Sequence, residues 1–193
     1  NSGSIHRYTA LTGYADLDVI TALHYGKHIK GKSPQEVLQL VRDSLGEYRN
    51  NVRKNGQAVT LHYKTWPNVD IVPASRVVDD NGNVVEYQIP DMNTGSWIST
   101  NPKIHTNDIN NRSSVAGIGF RRIITMVKWW SKKHSDYLQS YHIEVMALKI
   151  LESQISDYSW SVFQYFDKAA ELAASPIWHD KGMVDNYLTY TTR

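Results

Sequence analysis

The apolar positions of this chain follow two different periods. Up to Pro90 they fall in short alternating or continuous runs bounded by turn residues; after a polar stretch they recur every three or four residues. Residues 15–24 read as a first strand, Ala58–Tyr63 and Asn68–Val78 as an antiparallel pair joined at Trp66-Pro67, and Val84–Ile89 as a further strand behind the turn signal Asp79-Asp80-Asn81-Gly82-Asn83. One helix signal lies among them. Ser33 stands as N-cap, Pro34 as first helical residue and Glu36 as the closing member of a capping box. Val37, Leu38, Leu40, Val41, Leu45 and Tyr48 then recur at helical spacing, which predicts a helix over residues 34–54. The polar stretch, residues 91–111, precedes three predicted helices over residues 113–134, 139–154 and 159–174. Strands first and helices after give an α+β layout: a palm-like sheet over residues 1–95, a helical lobe over residues 96–193, and a ligand expected in a cleft between the two.

Composition narrows the class. A chain of 193 residues, 41% apolar and 21% charged, is ordinary for a globular protein with a proper core. It has no cysteine, so disulfides and thiolate metal sites are excluded and nothing points to secretion. Neither a signal peptide nor a run of about eighteen apolar residues is present, so no membrane insertion is expected and the expected location is cytoplasmic. The formal charge of +2 implies no global clamp on nucleic acid and leaves room only for a local basic groove. Six tryptophans and twelve tyrosines are a high aromatic load, most of it core, with a few rings available to stack on bases.

The candidate chemistry sits on three aspartates. Asp16 and Asp18 interrupt the apolar run Ala15–Ile20, and Asp70 interrupts Val69–Val72. Residues two apart in a strand share a face, so Asp16 and Asp18 project together. Aspartate is disfavoured in strands, and a buried carboxylate needs a partner. A third carboxylate from a second strand could complete a set of oxygen ligands for Mg²⁺. Two such ions can activate an attacking hydroxyl and stabilise departing pyrophosphate. Each fragment also has a plain reading: an Asp-x-Asp at a strand edge can be solvated, and Asn1-Ser2-Gly3-Ser4 alone could be linker sequence.

Gly3-Ser4, followed by Arg7 and Thr9 and then Asp16-Leu17-Asp18, resembles the signature of the DNA polymerase beta-like nucleotidyltransferase superfamily. The segment from Asn1 to Ala10 is most similar to the bacterial cGAS/DncV-like nucleotidyltransferases of antiphage defence. Lys128-Trp129-Trp130, Gln139-Ser140-Tyr141-His142-Ile143-Glu144 and Trp97–Pro102 resemble elements of the same branch. The resemblance spans nearly the whole chain. It implies a polymerase beta-like palm followed by an oligoadenylate synthase-like helical lobe. It also implies a long helix before the Gly-Ser turn and a further helix after the last residue, so this chain is expected to be a piece trimmed at both ends.

The resemblance further implies that Asp16 and Asp18 bridge two Mg²⁺ or Mn²⁺ ions, that Asp70 binds the catalytic ion and helps deprotonate the acceptor hydroxyl, and that Gly3 and Ser4 approach the donor phosphates. Lys128 would meet the β- and γ-phosphates, though a solvated helix-surface lysine beside Lys132 and Lys133 fits the same residues. Ser140 would touch the triphosphate or simply cap the helix that Glu144 helps open. Tyr141 would stack on a base or sit in the core. Arg7 and Thr9 line the nucleotide site or brace the turn. His24 and His28 have a zinc spacing, but Gly26 and Gly31 argue against a helix there and they read as surface histidines. Arg121 and Arg122 read as a solvated face.

The implied activity is condensation of ribonucleoside triphosphates such as ATP and GTP into a cyclic di- or oligonucleotide second messenger. The product would act on a downstream effector protein in antiphage (CBASS) defence, with an activating protein as a further partner and nucleic-acid activation as an open option. The alternatives are a linear oligoadenylate or poly(A)-type synthase, a transferase acting on protein or tRNA, and a non-catalytic nucleotide-binding module.

Overall fold

The computed structural model describes residues 2–134, 138–172, 178–179 and 182–183. These divide into two compact units. Residues 1–6 and 12–102 form the first, and residues 7–11 together with 103–193 form the second.

The first unit is a six-stranded mixed sheet with helices. Its elements are a four-residue helix α1 (Gly3–His6), β1 (Leu17–Ala22), α2 (Pro34–Ser44), β2 (Val52–Asn55), β3 (Ala58–Leu61), β4 (Val69–Val78), β5 (Val84–Asp91) and β6 (Ser96–Thr100). The strands run in the order β2-β3-β4-β5-β6, and β1 joins the same sheet by pairing with β4. Only the β1–β4 pair is parallel. Parallel neighbours require a crossover, and α2 lies within it. α2 starts where the sequence says it should: Ser33 accepts from the Glu36 amide, and Glu36 returns the bond to the Ser33 backbone. Its inner face buries Leu38 and Val41 against Val59 and Leu61 of β3, with Val69 and Ile71 of β4 packed beside them.

The predicted helix over residues 34–54 is cut short. Gly46 takes φ +55°, a left-handed conformation that stops helices. A 3-10 turn (Gly46–Asn51) and strand β2 occupy the remainder. His24 and His28 fall in and beside a single π-helical turn (Tyr25–Ile29) whose N-cap is His24. The first strand, the β3–β4 pair and the turn into β5 stand as expected within a few residues.

The second unit contains α3 (Pro102–Ala116, its first residue shared with the sheet unit), α4 (Gly119–Lys133), α5 (Ser140–Ile150) and α6 (Tyr158–Leu172), and a two-residue pair β7 (Trp178–His179) and β8 (Gly182–Met183). Its core is Ile109, Phe120, Ile123, Ile124, Val127, Ile143, Met146 and Tyr165, with smaller residues between them. The sequence reading missed β6 and most of α3, and merged the end of α3 with α4 across Gly117. α3 is mostly polar and buries only His105, Ile109 and Ala116, so no apolar period marks it. Residues 173–174 of the last predicted helix and the segment 186–190 lie outside the described residues.

Phe120 is fully buried at the centre of the helical core. Phe120→Ala is expected to lower stability by about 3–5 kcal/mol, read by urea unfolding.

Candidate active site

Period-two alternation sorts the residues of β4. Val69 and Ile71 pack under α2, so Asp70 turns to the opposite face. β3 repeats the arrangement: Val59 and Leu61 join the core, and Thr60 between them is the register partner of Asp70. Along its other edge Asp70 is paired with Asp18 of the parallel strand β1. Directly paired residues of adjacent strands project from the same face. Thr60, Asp70 and Asp18 therefore form a row across three strands, and the Thr60 hydroxyl donates to Asp70 Oδ1.

Asp16 stands just ahead of β1 in a segment tied down on both sides. The Leu17 amide donates to Asn68 O at 2.9 Å, and the Trp66 indole N–H donates to Ala15 O at 2.6 Å. Burial pushes the Asp70 carboxyl up; the Thr60 bond offsets part of this, the Asp16 charge adds to it, and the result lies above the usual carboxylate value. The Gly-Ser turn reaches the same place. The Ser2 amide donates to Asp18 O at 2.9 Å. Gly3 has φ +75°, and a Cβ on it would stand 1.6 Å from Asp18 Oδ2. Residue 3 is glycine both because its backbone is left-handed and because the Asp18 carboxylate fills the space of a side chain. Ser4 follows, half-buried, in α1.

Three carboxylates form an all-oxygen donor set, the chemistry that Mg²⁺ and Mn²⁺ select. Among the described residues, no three His, Cys, Asp or Glu side chains are gathered closely enough to enclose an ion by themselves. Asp18 and Asp70 line one face, and Asp16 stands near enough for its charge to act on Asp70. That suits an ion that keeps phosphate and water oxygens among its ligands.

The second unit gathers Arg7, Thr9 and Lys128 around a carboxylate that sequence reasoning assigned only to opening the helix. Glu144 of α5 is fully buried. Its Oε2 receives Arg7 Nε at 2.9 Å and Nη2 at 2.8 Å, and lies 2.7 Å from His105 Nε2. Its Oε1 receives Lys128 Nζ at 2.6 Å and the Thr9 hydroxyl. Burial alone would raise the Glu144 carboxyl, but the His105 bond and the charges of Lys128 and Arg7 outweigh it and hold the group well below the usual carboxylate range.

Lys128 is accordingly not a solvated surface lysine. It is buried, and its Nζ donates to Thr9 O at 3.0 Å, to Thr9 Oγ1 at 3.3 Å and to Glu144, three acceptors for its three protons. Burial lowers its pKa in spite of Glu144. Arg7 and Thr9 brace their segment through the same carboxylate, and the Arg121 guanidinium adds a bond from Nε to Arg7 O at 3.0 Å. Ser140 is exposed at the first position of α5, whose N-cap is Gln139 with no side-chain cap bond, so Ser140 is not the cap. Tyr141 is half-buried, packed on the helical core and edge-on to His105 with centroids 4.6 Å apart. The advance signs of this cluster were Lys128 and Glu144 standing among apolar residues of helical runs, and Arg7 and Thr9 following the Gly-Ser turn.

Residues 1–113 match the family model described as the Second Messenger Oligonucleotide or Dinucleotide Synthetase domain. The cyclic AMP-AMP-AMP synthase of Acinetobacter sp. (strain ATCC 27244 / 9458) is 26% identical over 205 residues, covering 96% of this chain and 57% of that protein. Among solved structures, Escherichia coli MS115-1 CdnC with ATP superposes with TM-score 0.73 at 21% identity, covering 93% of this chain and 59% of the other. The CdnC:HORMA-deltaN complex from the same organism gives TM-score 0.67 at 21% identity, covering 86% and 54%. These likenesses show the fold, a mixed sheet with flanking helices. The chain spans less than two thirds of the length of each of these proteins.

Two variants test the geometry. Gly3→Ala is expected to cost about 1–3 kcal/mol by overpacking against Asp18, measured by thermal unfolding. Glu144→Gln leaves buried cations without their anion and is expected to cost about 3–5 kcal/mol. The folded Glu144 carboxyl titrates below its ordinary value of 4.5, so its stabilisation is complete above that pH and is lost as pH falls below it. The gap between wild type and Glu144→Gln in urea unfolding should therefore hold constant down to about pH 5 and narrow steadily below it.

Proposed function

Since this chain belongs to the Second Messenger Oligonucleotide or Dinucleotide Synthetase domain family, we propose that it carries the catalytic centre of a nucleotidyltransferase that joins ribonucleoside triphosphates into a cyclic oligonucleotide and releases pyrophosphate. The observation that supports this most is the pairing of Asp18 with Asp70 in register, with Asp16 at the head of β1 and Gly3 seated against Asp18. In this reading residues 1–95 are the palm and residues 96–193 the helical lobe.

Two Mg²⁺ or Mn²⁺ ions, when bound, would neutralise the triphosphate and lower the pKa of the attacking hydroxyl. Asp16, Asp18 and Asp70 would hold them. Asp70 would also take the proton of the acceptor hydroxyl as the hydroxyl oxygen bonds to the α-phosphorus; the α–β bridging bond breaks and pyrophosphate leaves with that bond's electrons. Gly3 lets the backbone approach the phosphates, and Ser4 adds a hydroxyl. Ser140 and Tyr141, at the start of α5, are the helical residues proposed for the triphosphate and base. Lys128, bonded to Glu144 and Thr9, would have to release them to reach a phosphate.

Adenine nucleotides are the proposed substrates, supported by the name of the Acinetobacter relative and by the ATP in the CdnC structure. A protein activator is proposed on the CdnC:HORMA-deltaN complex. An effector that senses the product, a role in antiphage defence and a cytoplasmic location complete the proposal. Among the described residues no helix is long and apolar enough to cross a membrane.

Full-length protein incubated with the four ribonucleoside triphosphates and Mg²⁺ or Mn²⁺ is expected to yield a phosphatase-resistant cyclic product by mass spectrometry. Asp70→Ala should lower the yield at least about a hundredfold while circular dichroism stays unchanged. Turnover that survives Asp70→Ala would sink the mechanism, and a linear, phosphatase-sensitive ladder would replace the cyclic product with an oligomer.

A further inference from the structure

Thr60 lies in the row of residues that includes Asp70 and Asp18, yet nothing about the reaction described above uses it. It is 5% exposed, in a strand whose neighbouring side chains, Val59 and Leu61, are fixed in the core beneath α2. Its β-branched side chain has little freedom about χ1. A hydroxyl so placed is a stationary donor, and it is spent on one oxygen of one carboxylate, Asp70 Oδ1. An aspartate carboxyl otherwise turns broadly about its terminal torsion, and either oxygen can face a ligand.

We propose that Thr60 is a positioning residue for Asp70: it engages Oδ1, fixes the plane of the carboxylate and leaves Oδ2 as the oxygen offered to a divalent cation. This rests on the reading of Asp70 as a ligand. The argument is geometric. The β3–β4 register sets Thr60 opposite Asp70, and the β1–β4 register sets Asp18 on the far side, so the carboxylate is held from one flank and has the second carboxylate on the other. A groove-wall threonine that only filled space would need no hydroxyl, and valine would serve it equally.

The test uses the full-length protein with a non-cleavable ATP analogue and Mn²⁺, free Mn²⁺ being read by electron paramagnetic resonance. Removal of a group that orients a metal ligand costs roughly ten- to a hundredfold in affinity. Thr60→Val is expected to weaken Mn²⁺ binding about tenfold, and Thr60→Ser, which keeps the hydroxyl, to stay within about threefold of wild type. Turnover should follow, with kcat falling in Thr60→Val and the KM for ATP changing little. If the valine variant is unfolded, Thr60→Cys keeps the size, donates only weakly and should weaken Mn²⁺ in the same direction. Mn²⁺ affinity in folded Thr60→Val equal to wild type, with Asp70→Asn clearly weakened, would overturn the positioning role alone. Asp70→Asn binding Mn²⁺ as wild type does would overturn the ligand reading and this inference together.

Discussion

Val69 and Ile71 have to be buried, and that requirement places Asp70. In a strand of period two there is no third choice: once alternate residues are committed to the core beneath α2, the residue between them faces the other way. The same logic, applied to Val59 and Leu61 in β3, turns out Thr60. The parallel register of β1 then sets Asp18 beside Asp70. A one-residue slip of β1 would put an apolar residue there and push the carboxylate into the core. The face that carries Thr60, Asp70 and Asp18 is thus fixed by packing on the opposite face of the sheet.

The helical unit treats buried charge differently. There is no open face for Glu144; it lies inside, and only the ring of donors from Arg7, Thr9, His105 and Lys128 makes its ionised form tolerable. Such a cluster adds little net stability over a well-packed apolar core, but it is unforgiving of the loss of any member. What it gains is connection. Residues 7–11, far away in sequence, are held to α4 and α5 by charge-assisted bonds, not by apolar burial.

These two modes explain what could be read in advance. Alternation and turn residues reveal strands, so β1, β3, β4 and β5 were legible, as was the capped start of α2. The α+β class followed from strand-like runs giving way to helical spacing, and the family from Gly3-Ser4 and the aspartates standing in apolar runs. α3 was not legible, because its buried face is His105 and Ile109 instead of a stripe of apolar residues, and the partner that makes His105 acceptable is thirty-nine residues away in sequence. For the same reason the bond of Lys128 to Glu144 was not legible: a lysine's partner is an acid that sequence spacing does not identify. The overlong α2 had a visible stop in Gly46, outweighed by the apolar spacing that ran on to Tyr48.

The close approach of Asp18 to Gly3 links the histories of two positions that are fifteen apart. While the carboxylate is present, almost no change at residue 3 is open, since even one methyl group would collide with it. Once a descendant lost the carboxylate at 18, only the backbone angle would still favour glycine at 3, and asparagine could take its place. Decay of such a centre is therefore ordered, aspartate first and glycine second. A side chain at residue 3 would therefore signal that the carboxylate at 18 had already gone.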